Sequence, residues 1–128
     1  MPTILVIDDS PSALQTVAGM LAEAGYRVRL CANGKSAVRL LKNEPIDLIL
    51  TDIYMPEEDG LEVIRERRRI CPDVPVVAMS GITGKGCMLA VARHMGACQT
   101  LLKPFSHADL LDAIRAALGA APDPGVHQ

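Results

Sequence analysis

Residues 3–9 have the sequence TILVIDD, a run of apolar and mostly β-branched residues that ends in two carboxylates. Such a run is typical of a strand that is buried on both faces and whose carboxyl end meets solvent. Strands buried on both faces occur mainly in parallel sheets covered by helices. This stretch therefore predicts a protein of the α/β class.

The rest of the chain repeats the same pattern of a short apolar run followed by a segment with helix signals. Ser10-Pro11 is an N-cap followed by a proline at the first helical position, and Ser106 with Asp109 forms a capping box before the last helix. Five strand–helix units predict a doubly wound, five-stranded parallel sheet with five helices on its two faces. The predicted strands are residues 3–7, 28–31, 46–51, 74–79 and 100–102.

Composition limits the possible functions. A chain of 128 residues with 49% hydrophobic and 22% charged residues suits one domain with its own core. A net charge of -2 argues against binding to a nucleic-acid backbone, and no apolar run approaches the roughly 18 residues of a membrane span. We expect a cytoplasmic protein with reduced thiols, because no Cys-x-x-Cys pair is present among Cys31, Cys71, Cys87 and Cys98.

Polar residues fall at the ends of the predicted strands. Asp8 and Asp9 follow the first strand and Asp52 follows the third, while Ser80 and Lys103 follow the fourth and fifth. In parallel sheets these carboxyl ends meet at one edge, where ligands bind. Three neighbouring carboxylates repel one another unless a cation lies between them, and a site with few carboxylates suits Mg²⁺.

A site of this kind can stabilise a phosphoryl group. Its negative charge can be shared by Mg²⁺, the Lys103 ammonium and the Ser80 hydroxyl. Asp52 can then act as a nucleophile that forms an aspartyl phosphate.

The ordered strand-end motifs resemble those of response-regulator receiver domains, the phosphoacceptor modules of two-component signalling. The matching motifs are Asp8-Asp9, the segment DIYMPEEDG at residues 52–60, Ser80-Gly81 and Lys103-Pro104-Phe105. The resemblance covers residues 3–119 and implies a flavodoxin-like sheet of order 2-1-3-4-5. We therefore expect a receiver domain over residues 1–119 and a flexible tail over residues 120–128.

The resemblance also implies roles for single residues. Asp52 is expected to be the phosphorylated aspartate, and Mg²⁺ is expected to be held by Asp9, by Asp52, by the backbone carbonyl of Tyr54 and, through water, by Asp8. Ser80 would donate a hydroxyl to the phosphoryl group, with Lys103 as its charge partner. The peptide bond before Pro104 is expected to be cis.

Two features depart from the family pattern. Receivers usually carry an aromatic residue three positions before the lysine, where this chain has Thr100. Thr100 is either an ordinary β-branched strand residue in a protein that signals differently, which we favour, or a sign of weak coupling to the fourth helix. The glycine-rich residues 80–86 are an alternative route for the signal, or only a flexible connection.

The run Arg65-Glu66-Arg67-Arg68-Arg69 is interpreted as cations that complement the dipole of a helix C-terminus, with the Arg68 stem toward the core. A phosphate or nucleic-acid patch is the less favoured interpretation. The choice between the two depends on where the arginine side chains lie.

The sequence thus predicts a stand-alone receiver phosphorylated by a sensor histidine kinase or phosphotransfer protein, which then changes its affinity for a downstream protein target. Because nothing after Leu118 would form a DNA-binding domain, we expect output through the surface of the domain itself. Alternatives are a phosphorelay intermediate or phosphate sink, a phosphorylation-independent binding module, and an aspartyl-phosphate phosphohydrolase. The adjacent Asp8-Asp9 pair argues against the phosphohydrolase, whose nucleophile would lie in an Asp-x-Asp motif on the first strand.

Overall fold

A computed structural model describes residues 1–53, 60–81 and 86–119 of the chain. Strands and helices alternate throughout, as the repeated pattern predicts. The elements are β1 (Thr3–Ile7), α1 (Pro11–Glu23), β2 (Arg27–Cys31), α2 (Gly34–Asn43), β3 (Leu48–Asp52), α3 (Gly60–Ile70), β4 (Val76–Gly81), α4 (Gly86–Met95), β5 (Gln99–Lys103) and α5 (His107–Gly119).

The five strands form one parallel sheet in the order β2-β1-β3-β4-β5. This order confirms the predicted flavodoxin-like, doubly wound architecture with five helices. The direction of strand addition reverses between β1 and β3, so the carboxyl ends of these two strands flank the switch point at which such sheets bind ligands.

The sheet separates two apolar layers, and alternate residues of each strand enter opposite layers. Leu5 and Ile7 of β1 pack with α2, α3 and α4, while Ile4 and Val6 pack with α1 and α5. The central strands are therefore apolar on both faces, as residues 3–7 predict. Fully buried side chains that line the two layers include Leu5, Ile7, Ile49, Ile64, Ile4, Leu21, Leu48, Leu50, Met79, Leu110 and Ile114.

The predicted helix caps are present at both ends of the chain. The Ser10 hydroxyl accepts a hydrogen bond from the Ala13 amide at 3.3 Å, in front of Pro11 at the first position of α1. At α5, Ser106 Oγ accepts from the Asp109 amide at 3.0 Å, and the Asp109 carboxylate accepts from the Ser106 amide at 3.4 Å. This reciprocal pair is the predicted capping box.

The fourth strand begins two residues later than the sequence predicts. The sequence predicts a strand over residues 74–79, but β4 spans Val76–Gly81. The Val74 amide donates to Cys71 in a turn, and the Val74 carbonyl accepts from Arg67, so residue 74 is engaged outside the sheet. As a result, Ser80 lies inside β4 and is completely buried, instead of following the strand.

The arginines of α3 each contact different partners in the structure. Arg67, and not the expected Arg68, is the buried member; its guanidinium donates to the carbonyls of Pro72 at 2.9 Å and Val74 at 3.2 Å. Arg68 is exposed and donates to the Met95 carbonyl at the end of α4. Gly96 has φ +125°, a backbone conformation that side chains disfavour, and a Cβ there would lie only 2.7 Å from the Arg67 guanidinium. Any other residue would therefore strain the backbone and collide with Arg67.

Three cysteines of the described residues, Cys31, Cys71 and Cys98, are free thiols. Burial raises the pKa of the Cys31 and Cys71 thiols, with Arg29 and Arg67 respectively opposing the rise, so both side chains stay protonated at neutral pH. No described helix has the length and apolarity needed to cross a bilayer. The predicted tail, residues 120–128, lies outside the described residues.

We predict that Arg67→Met destabilises the protein. Methionine keeps the long stem but leaves the Pro72 and Val74 carbonyls without their donor, and the expected loss is about 1–2 kcal/mol of unfolding free energy. Burial lowers the pKa of Arg67, so removal of a partly desolvated cation recovers some of this loss. Urea denaturation followed by circular dichroism measures the difference.

Arg69→Met is the matched control for this substitution. Arg69 is exposed and pairs only with Glu66, at 2.6 Å, among the described residues, so we expect a change below about 0.5 kcal/mol. Equal stabilities of the two variants would contradict a structural role for the buried Arg67.

Candidate functional site

The candidate site lies at the carboxyl edge of the sheet, beside the switch point. Asp8 follows β1 directly, and its backbone N–H donates to the Cys31 carbonyl at the end of β2 at 3.1 Å. Asp52 is the last residue of β3, and Lys103 is the last residue of β5. The parallel sheet therefore brings residues that are far apart in sequence to one edge.

The three aspartates form a compact cluster. One carboxylate oxygen from each of Asp8, Asp9 and Asp52 lies within 4.8 Å of the others. Asp8 and Asp52 are buried, with 1% and 7% exposure, whereas Asp9 is exposed. Asp8 is also held from the side of α1, because its Oδ1 accepts the Ser10 amide at 3.0 Å. The cluster thus has two enclosed carboxylates and one open to solvent.

Lys103 supplies the positive charge next to these carboxylates. Its Nζ lies 2.6 Å from Asp8 Oδ2 and 3.6 Å from Asp52 Oδ2. The Lys103–Pro104 peptide bond is cis, as the resemblance implied. The lysine side chain is only 28% exposed, so its charge acts on the two buried aspartates with little screening by solvent.

Ser80 is placed by the register of β4. It follows Met79, whose partner on β3 is Asp52, and its own partner on β5 is Leu102, next to Lys103. Its hydroxyl is buried and has no hydrogen-bond partner among the described residues. A buried hydroxyl without a partner is costly, so Ser80 Oγ is suited to bind a group that enters the site. Tyr54, expected to supply a carbonyl ligand, lies outside the described residues.

The donor set fits a divalent cation with oxygen ligands. Carboxylates on three sides, one of them open to solvent, are suited to Mg²⁺, which usually keeps several waters and takes one or two carboxylates. Lys103 alone contributes one positive charge against three negative charges. A further cation would therefore complete the charge balance of the cluster.

Two contacts near the site are not evident from the sequence. Thr51 is buried, and its hydroxyl donates to the Asp52 carbonyl at 3.0 Å; a polar residue inside the apolar run of β3 is the only sequence signal. Thr100 lies within β5, and its hydroxyl accepts from Arg93 of α4 at 3.2 Å. Residues 82–85 of the glycine-rich segment are not described, so its role in signalling stays a prediction.

Known proteins resemble this chain in both sequence and fold. Residues 4–115 match the response regulator receiver domain family. The chain is 36% identical over 126 residues to the response regulator receiver protein CpdR of Brucella abortus, and the match covers 94% of this chain and all of CpdR. It is 34% identical to the transcriptional regulator NtrC of Azospirillum brasilense, covering 95% of this chain but only 25% of that protein.

The structural likeness is equally extensive. The receiver domain of NtrX from Brucella abortus superposes with a TM-score of 0.87 at 30% identity, covering 92% of this chain and 99% of that one. The class defined by fold and edge site is thus the flavodoxin-like α/β phosphoacceptor domain. Within that class, the chain belongs to the response regulator receiver domain family of two-component systems.

We predict opposite effects of Asp9→Asn with and without Mg²⁺. In the absence of divalent cations, the substitution removes one of three mutually repelling carboxylates, which raises the unfolding free energy by up to about 1 kcal/mol. With Mg²⁺, the native protein gains stability by ligand linkage and the variant gains much less. Thermal unfolding across a Mg²⁺ titration measures both effects.

Asp112→Asn is the control, because Asp112 is an exposed aspartate of α5 that lies 3.6 Å from Arg115. We expect the control to match the native protein in both conditions. An Asp9→Asn variant that is less stable than the native protein without Mg²⁺, yet responds normally to Mg²⁺, would contradict the electrostatic interpretation of the cluster.

Proposed function

We propose that this receiver accepts a phosphoryl group on Asp52 in a Mg²⁺-dependent reaction and thereby alters its binding to partner proteins. The observation that carries the proposal is the position of the Asp52 carboxylate, which lies 3.6 Å from Lys103 Nζ and within the three-aspartate cluster. A carboxylate beside a fixed cation, in a cluster that could hold a metal ion, is suited to attack phosphorus.

Each residue of the site would have a different role in the transfer step. An Asp52 carboxylate oxygen forms a bond to phosphorus while the bond to the donor breaks, and the electron pair of that bond leaves with the donor. Asp8 and Asp9, together with Asp52 and the Tyr54 carbonyl, would hold Mg²⁺, which when bound supplies positive charge for the phosphoryl oxygens.

Lys103 and Ser80 would take the remaining charge of the phosphoryl group. Without a phosphoryl group, Lys103 Nζ lies 2.6 Å from Asp8 Oδ2 and 3.6 Å from Asp52 Oδ2, so it is closer to Asp8. A phosphoryl group on Asp52 adds negative charge on that side and would draw the ammonium toward it. The Ser80 hydroxyl, which lacks a partner among the described residues, would then donate to a phosphoryl oxygen.

The expected phosphodonor is a sensor histidine kinase or a phosphotransfer protein, and the expected output is a downstream protein target. Receiver domains of two-component systems act with such donors, which supports the first part. We also propose a cytoplasmic location, which the free thiols fit. The proposed unit is a receiver domain over residues 1–119, followed by a flexible tail.

The alternatives differ in what happens to the phosphoryl group. A relay intermediate or phosphate sink would pass it on or lose it without a change in partner binding. The match to CpdR, a receiver protein that this chain covers completely, is compatible with signalling through the domain surface. The phosphohydrolase alternative has no support from the family match, because receivers are phosphoacceptors.

We predict that acetyl phosphate with Mg²⁺ adds one phosphate-sized increment to the intact mass of the native protein. Chelation of the metal should abolish the gain, because the three carboxylates then lack their cation. Asp52→Asn should also abolish it, because the amide is not a nucleophile toward phosphorus. Intact mass spectrometry after short incubations measures the modification.

Asp47→Asn is the matched control, since Asp47 is an exposed aspartate that precedes β3 and bonds the Thr3 amide at the opposite end of the sheet. It should be phosphorylated at the native rate. A mass gain that persists in Asp52→Asn would overturn the assignment of Asp52, and no gain in any protein, even with a purified phosphotransfer donor, would favour a phosphorylation-independent module.

A further inference from the structure

The structure buries five polar or charged residues among those it describes. Among the described residues, Asp8, Asp52 and Ser80 belong to the candidate site, and Arg67 joins α3 to the loop before β4. Thr51 is the remaining one. It has no solvent exposure, and its hydroxyl is not part of the aspartate cluster.

Packing alone does not explain a threonine at position 51. Its partners in the sheet register are Ile7 of β1 and Ala78 of β4, and both belong to the apolar layer beneath α2, α3 and α4. Valine has nearly the same shape, favours strands and buries no polar atom, so it would suit this environment better. A polar residue at a position where an apolar residue would pack better indicates a functional constraint.

The hydroxyl acts on the peptide group that follows the proposed nucleophile. Thr51 Oγ1 donates to the Asp52 carbonyl at 3.0 Å, and the N–H of the same peptide group, which belongs to Ile53, donates to the Met79 carbonyl at 3.0 Å. Both ends of this group are therefore held, one by a side chain and one by the neighbouring strand. The peptide plane cannot rotate without breaking one of the two bonds.

We propose that Thr51 is a positioning residue for phosphoryl transfer to Asp52. By fixing the carbonyl of Asp52, it limits rotation of the backbone from which the Asp52 carboxylate projects, and so keeps the carboxylate oriented for attack. Thr51 itself is not placed in contact with the metal or the donor. This inference rests on the proposed function of Asp52 as phosphoacceptor.

Thr51→Val tests the proposal, because it removes the hydroxyl while keeping the shape of the side chain. We expect the maximal rate of phosphorylation by acetyl phosphate to fall about three- to tenfold, as for the loss of one hydrogen bond. The half-saturating concentrations of acetyl phosphate and Mg²⁺ should not change. Hydrogen exchange at the Ile53 amide should become faster, because the carbonyl of its peptide group then loses the Thr51 hydrogen bond.

Thr51→Ser should restore both the native rate and the native exchange at Ile53, because serine retains the donor. Thr51→Cys, which has nearly the size of serine but a much weaker donor, should behave like Thr51→Val. If Thr51→Val fails to fold, comparison of the phosphorylation rates of Thr51→Ser and Thr51→Cys tests the proposal instead. Thr3→Val, at the other end of the sheet, controls for the loss of a strand threonine and should be phosphorylated at the native rate.

A Thr51→Val variant with the native rate, or a Thr51→Ser variant as slow as Thr51→Cys, would overturn the positioning role. A change in half-saturating Mg²⁺ with an unchanged maximal rate would overturn it too, because that result assigns Thr51 to metal binding. If the native protein itself takes up no phosphoryl group, the proposed function fails. Failure of the positioning role is distinguishable from this, because it shows only in the comparison of the variants with a native protein that is phosphorylated.

Discussion

The repulsion among three carboxylates at one edge of the sheet is the constraint on which the site depends. Asp8, Asp9 and Asp52 are brought together because the ends of adjacent parallel strands meet at the switch point. Lys103 offsets part of this repulsion through its contacts with Asp8 and Asp52. The remaining negative charge suits the edge to a divalent cation, and the proposed phosphoryl transfer to Asp52 depends on such a cation.

The rest of the domain packs against both faces of the sheet and against its opposite, amino-terminal edge. Two apolar layers cover the central strands, and the buried Arg67 ties α3 to the residues before β4, while Arg68 ties α3 to the end of α4. The arginines in the last turn of α3 thus make specific contacts in addition to complementing the helix dipole. Most of the described contacts of the arginine run are with backbone carbonyls of neighbouring elements or with glutamates of its own helix.

Thr100 shows how this receiver differs from the usual pattern. The threonine lies within β5, and its hydroxyl accepts a hydrogen bond from Arg93. The contact joins α4 to β5 directly. Both interpretations of Thr100 stay predictions. Whether the glycine-rich segment before α4 carries the signal remains a prediction, because residues 82–85 are not described.

The sequence by itself determined the α/β class, the strand order through its resemblance to receivers, the helix caps and the gathering of acidic residues at one edge. These features follow from local periodicity and from motifs, which each segment carries on its own. Only the tertiary structure decided that Arg67 and not Arg68 is buried, that Ser80 lies inside β4, and that the Thr51 hydroxyl holds the Asp52 carbonyl. The first two depend on how elements pack against one another, which no spacing within one segment specifies, and the third depends on the side-chain conformation that Thr51 adopts in the buried sheet.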